Sequence, residues 1–169
     1  MASEPYTQSS ILATVAEPAV LFEIERGKPM PSKNHSKVQT RIASALSAKY
    51  ENEFDVLTEL DIELAGKKSV PDVVVYPYET SDWENDVIRS IQLPSLIIEI
   101  LSPRQSFDEV VSKIRTIYFP AGVKSVWFVT PSTQSLLHFI PNQKPKKYNE
   151  GIFKDKVSGF EIDLDRLFR

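Results

Sequence analysis

The stretch PSLIIEILSP, residues 94–103, decides the fold. Leu96, Ile97, Ile98, Ile100 and Leu101 are aliphatic, and a single carboxylate, Glu99, stands among them. A run this apolar reads as a strand covered on both faces, as in the middle of an α/β sheet. Ser102-Pro103 halts it. With side chains alternating, Ile97, Glu99 and Leu101 share one face, and Leu96, Ile98 and Ile100 share the other. A charge buried there is costly unless something pairs with it. Either a buried Arg or Lys answers Glu99, or a bound cation does.

Working outward, SVPDVVVYP (69–77) has the Val-rich composition of a second central strand, starting just after Pro71 with Asp72 at its opening. Taken alone, Asp72 also reads as a plain turn residue after proline. Val38, Ile42, Leu46 and Tyr50 recur every four residues after MPSKNH, which predicts an amphipathic helix. Upstream, VLFEIERGK (20–28) reads as a strand running into a Gly turn, and residues 1–18 as a weakly structured lead into one domain over 19–169. FDVLTELDIEL (54–64) predicts one half-buried strand. Residues 78–93 read as an acidic connection with a short helix. Val110, Ile114 and Ile117 mark one face of a second helix over 106–119. Strands are expected at SVWFVTP, SLLHFIP and around GIFKDKV, with a last helical turn at DLDRLF. Such an order implies a mixed sheet with helices packed on it, an α/β (α+β) architecture.

Composition narrows the chemistry. The 169 residues, 41% hydrophobic and 25% charged, suit one soluble globular domain. No run of about 18 apolar residues predicts a membrane span, and MASEPYTQSS lacks the pattern of a signal peptide, so a cytoplasmic location is expected. With no cysteine, disulfides, thiolate zinc sites and cysteine nucleophiles are excluded. Only His35 and His138 offer imidazole, so a metal site would be oxygen-liganded and suited to Mg2+ or Mn2+. A net charge of −3 with pI ≈ 5.5 makes no global electrostatic case for nucleic acid. The short run KPKK (144–147) reads as a solvated loop.

Asp72 and Glu99, on neighbouring strands, can hold a hard cation with water filling its open positions. Lys113 lies just beside the apolar stripe of its helix, where its ammonium can turn towards the carboxylates and stabilise charge on a phosphate. It is equally placed for an ordinary surface ion pair with Glu109, four residues earlier. His35, in a first helical turn, reads as a cap or a packed side chain, and Glu23 as part of an exposed strand face. His138 reads as structural, Trp127 and Phe128 as core, and Tyr118 as packing between helix and sheet.

Pro71-Asp72, Glu99 within IIEILSP, the K….Y spacing of the next helix and GV..VWFV.P together resemble the Uma-type restriction endonuclease family, part of the PD-(D/E)XK nuclease superfamily. The likeness runs from FEIERGKPMP to GFEIDLDRLF. It implies a restriction endonuclease-like mixed β-sheet flanked by helices, and a metal-dependent endonuclease acting on DNA, commonly as a homodimer. On this resemblance Asp72 and Glu99 are the metal-binding carboxylates, joined by the carbonyl of Ile100. Leu101 occupies the usual lysine slot, and Lys113 takes over the catalytic lysine's role. Glu23, His35 and Glu109 are the supporting residues. A different class remains open: a catalytically silent module that keeps the fold for binding protein or nucleic acid.

Overall fold

The computed structural model describes residues 28–169. Glu23, the strand expected at 20–28 and the lead segment 1–18 lie outside them, apart from Lys28. Helix α1 (Lys33–Tyr50) buries His35, Val38, Ile42 and Leu46, the expected four-residue stripe. It starts where the Ser32 side chain accepts the His35 N–H, so Ser32 caps the helix and the His35 side chain is left for another task.

Among the described residues six strands form the main sheet: β1 (Phe54–Thr58), β4 (Val73–Pro77), β6 (Leu96–Ile100), β7 (Val126–Thr130), β8 (Ser135–Phe139) and β9 (Lys146–Tyr148), in the spatial order β1-β4-β6-β7-β8-β9. Among the described residues of this sheet only β6 and β7 run parallel; helix α2 (Phe107–Lys113) lies in the crossover between them. A three-stranded sheet holds β3 (Lys67–Ser69), β2 (Asp61–Leu64) and β5 (Arg89–Ser90), and β10 (Ile152–Lys154) pairs with β11 (Glu161–Asp163). The chain closes on α3 (Leu164–Leu167).

All five residues of β6 are buried. Leu96, Ile98 and Ile100 pack in one core with α1, Trp127 and Phe160. Ile97 packs on the opposite face with Val110, Ile114, Tyr118 and Phe128, and Leu101 joins them. The doubly covered strand read from LIIEIL is therefore present, in the expected alternation.

Three expectations need correction. The stretch 54–64 is two strands in two sheets, not one. Glu59 takes a left-handed backbone (φ 57°), and its N–H donates to the Asp72 carbonyl, which turns the chain out of the main sheet. Residues 78–93 contain no α-helix, only the two-residue β5. There the Asp82 carboxylate accepts the N–H groups of Glu84 and Asn85, a local turn that competes with helix formation. The helix over 106–119 is α only to Lys113 and continues as a π-turn, Ile114–Tyr118, in which Phe119 N–H donates to the Ile114 carbonyl. The wider turn shifts the buried stripe from Ile117 to Tyr118.

Candidate active site

The main-sheet register builds the site. In the antiparallel pair β4·β6, Val73 stands opposite Ile98 and Val74 opposite Ile97. One further step sets Asp72 opposite Glu99, so both side chains leave the sheet on the face of Ile97 and Val74. Directly opposed residues have Cβ atoms about 5 Å apart, and like charges there repel. Both carboxylates are buried, at 3% and 2% exposure, so each must be answered by donors.

Asp72 is answered three times. The Ile100 N–H donates to Oδ2 at 2.6 Å, Lys28 Nζ lies 2.6 Å from Oδ1, and His35 Nε2 lies 3.1 Å from the same Oδ1. Burial alone would raise its pKa, but the His35 and Lys28 contacts hold it below the usual carboxylate range. Nε2, facing the carboxylate, is the donating nitrogen, and among the described residues the buried His35 Nδ1 has no hydrogen-bond partner.

Glu99 is answered from α2 and its π-turn. Lys113 Nζ donates to Oε1 at 3.1 Å, and the Tyr118 hydroxyl donates to the same oxygen. Ser69 Oγ lies 2.7 Å from that hydroxyl and completes the chain as donor to it. Burial raises the Glu99 pKa; Lys113 opposes this and nearby Asp72 adds to it. The two carboxylates are thus driven apart, Asp72 kept anionic and Glu99 inclined towards the proton, a pattern typical of paired catalytic acids. Burial first, and then the Glu99 charge, hold the Tyr118 hydroxyl well above its ordinary pKa, so it acts as a donor throughout.

In a regular helix Lys113 and Tyr118 would diverge by about 140°. The π-turn between them brings both onto one oxygen of Glu99, and π-turns are frequent at functional sites. This convergence answers the two readings of Lys113: it pairs with Glu99. Glu109 instead accepts the Ser106 N–H at 3.0 Å while Ser106 Oγ accepts the Glu109 N–H, a capping box that spends the Glu109 carboxylate on the start of α2. Its expected supporting role is that of a helix cap.

Lys28, His35, Asp72, Glu99, Ile100 and Gln105 line one small pocket. A larger groove between α1 and the C-terminal segment holds none of the expected site residues. Sequence reasoning missed Lys28, and with it Glu59 and Gln39. Lys28 Nζ reaches Glu59 Oε2 at 2.9 Å, while Gln39 Nε2 donates to Glu59 Oε1 and to the Asp72 carbonyl, both at 2.9 Å. Only the KPMP context flanked Lys28, and no periodicity pointed from position 28 to 72.

His138 is buried within a polar network that the sequence did not anticipate. The buried Asp155 accepts from Trp127 Nε1 at 2.9 Å and from Ser125 and Ser158, with His138 Nε2 3.2 Å away. Burial opposes its ionisation, yet those donors, His138 foremost, hold the carboxyl far below the usual range. Trp127 and Phe128 are fully buried.

A chain with this fold is of the restriction endonuclease-like class. Residues 23–163 match the family model Uma2, described as "Putative restriction endonuclease", and the chain belongs to that family. It is similar in fold to a crystal structure described as a putative nuclease belonging to DUF820 from Anabaena variabilis ATCC 29413 (TM-score 0.72, 23% identity, 83% of each chain covered). A cryo-EM structure of a DrdV–DNA complex aligns more loosely, with a TM-score of 0.45 and 15% identity over 70% of this chain and 10% of that one. No curated protein matches.

Proposed function

We propose that the protein is a divalent-metal-dependent nuclease that hydrolyses phosphodiester bonds of DNA. The observation carrying this reading is that Asp72 and Glu99, opposed in register and both buried, open into the same pocket. Among the described residues no three Asp, Glu or His side chains form a ready-made metal cage. The donor chemistry nonetheless fits a hard ion such as Mg2+ or Mn2+: two carboxylates and the Ile100 carbonyl would hold it, with water in the remaining positions. When bound, such an ion supplies charge stabilisation to the phosphate and acidifies water.

The chain's own groups do the rest. Asp72 is held anionic and fixed by the Ile100 N–H and His35. Tyr118 and Lys113 orient the Glu99 carboxylate. The Lys113 side chain pairs with Glu99 yet keeps 21% exposure, and would orient the attacking water or stabilise charge on the scissile phosphate. No step requires cysteine. By family likeness the enzyme would act as a cytoplasmic homodimer, so that two sites address two strands.

One observation favours the silent-module reading. Leu101 leaves the usual lysine slot apolar, so catalysis depends on Lys113 reaching from α2. Plasmid cleavage with Mg2+ or Mn2+ separates the two readings. The wild type should nick or linearise DNA, Asp72→Ala and Glu99→Ala should not, and Lys113→Ala should lose at least about a hundredfold. If the wild type cuts no DNA form tried, the enzyme reading is wrong; if Lys113→Ala cuts normally, its role is wrong.

A further inference from the structure

Lys28 is a cation of the site that no sequence pattern anticipated, and its surroundings are built for it. Its ammonium lies in a cradle of three oxygens: Asp72 Oδ1 at 2.6 Å, Glu59 Oε2 at 2.9 Å and the Val70 carbonyl at 3.3 Å. The side chain is only 10% exposed. Glu59 is held in place by Gln39 and by a left-handed backbone that an L-residue adopts at a cost.

Three carboxylates meet two ammonium groups around the site: Lys28 is shared between Asp72 and Glu59, and Lys113 pairs with Glu99. Asp72 Oδ2 is taken by the Ile100 N–H, and Oδ1 already receives Lys28 and His35. A divalent ion reaching Oδ1 would meet an ammonium on the same oxygen, at separations where unit charges repel by kilocalories rather than tenths. Glu59 Oε2, already 2.9 Å from the ammonium, would still anchor Lys28 after it left Asp72.

We infer that Lys28 is a resident counter-ion of Asp72 that competes with the divalent metal, so that the ion binds by driving Lys28 off Asp72 Oδ1 towards Glu59. This rests on the metal site proposed above. Lys28 then determines affinity: it keeps Asp72 ionised and positioned without metal, and it makes the site selective against weakly held cations. Removing the ammonium should tighten metal binding, whereas removal of an ordinary supporting residue should weaken it.

The test is calorimetric titration of the full chain with Mn2+. Lys28→Met should bind Mn2+ about tenfold or more tightly than the wild type, and Lys28→Arg, which keeps the charge, should remain near it. Lys154→Met, an equal loss of charge at a remote exposed position, should bind as the wild type does. A second measurement uses the wild type alone and does not depend on how the variant folds. Acetylation of Lys28 by acetic anhydride, followed by mass spectrometry, should speed up several-fold when Mn2+ is added. If the wild type binds Mn2+ but Lys28→Met binds no more tightly, or Mn2+ leaves Lys28 acetylation unchanged or slower, the competition is refuted and the metal site stands. If neither protein binds Mn2+, both the site and the competition fall.

Discussion

Replacing Glu99 by glutamine should make the metal-free protein more stable while abolishing cleavage. Glu99 is buried opposite Asp72 in the centre of the sheet, and burial pushes its pKa up against the opposing pull of Lys113. Because burial and the neighbouring Asp72 charge raise the Glu99 pKa, its ionised form costs stability at neutral pH, and a neutral amide removes that cost. The introduced amide is isosteric with the carboxylate, and its oxygen could still accept from the Tyr118 hydroxyl. Lys113, at 21% exposure, can turn to water once its partner is gone. A gain of about 1 kcal/mol is expected, which for a domain of this size is about 2–4 °C in Tm. The sign with pH follows from linkage. A carboxyl whose folded pKa is raised contributes most below its unfolded value, 4.5, and that contribution is lost as pH rises through the folded value. The advantage of Glu99→Gln should accordingly be small near pH 4 and grow towards neutrality. Urea unfolding with chelator present, at several pH values, measures it. A variant destabilised by about 1 kcal/mol or more at pH 7, or a difference independent of pH, would refute the reasoning.

Further outcomes are expected from the supporting residues. Tyr118→Phe removes a buried donor from Glu99 and a partner from Ser69, and should cost about 1–3 kcal/mol in urea unfolding. Asp155→Asn should cost about 3 kcal/mol or more, since four side chains donate to or pair with that carboxylate. Because the Asp155 pKa is depressed, its stabilisation is present above the unfolded value of 3.8 and fades as pH falls below it, so the variant's deficit should shrink in acid. Ser106→Ala should cost about 1 kcal/mol through loss of the capping box, with little change in metal affinity.

Much of the molecule was legible because its signals are local. Alternation in LIIEIL gave both faces of β6, and the stripe Val38–Ile42–Leu46 gave α1. Asp72 and Glu99 were readable as a pair because each interrupts an apolar strand, and burial demands an answer for any charge placed there. What escaped the sequence depends on long-range geometry. Nothing local shows that Glu59 adopts a left-handed conformation and splits 54–64 between two sheets. The π-turn is equally silent: Tyr118 reads as packing until the widened turn carries its hydroxyl to Glu99 beside Lys113. Lys28 lies 44 positions from Asp72, and only the fold brings them together.

The central claim is that Asp72 and Glu99 jointly hold a divalent ion. Its most direct test is the anomalous difference density of crystals soaked in Mn2+. The account predicts one strong peak in the pocket, with a carboxylate oxygen of both Asp72 and Glu99 about 2.0–2.6 Å away. A peak elsewhere on the protein, or an empty pocket at a Mn2+ concentration that supports cleavage, would contradict it.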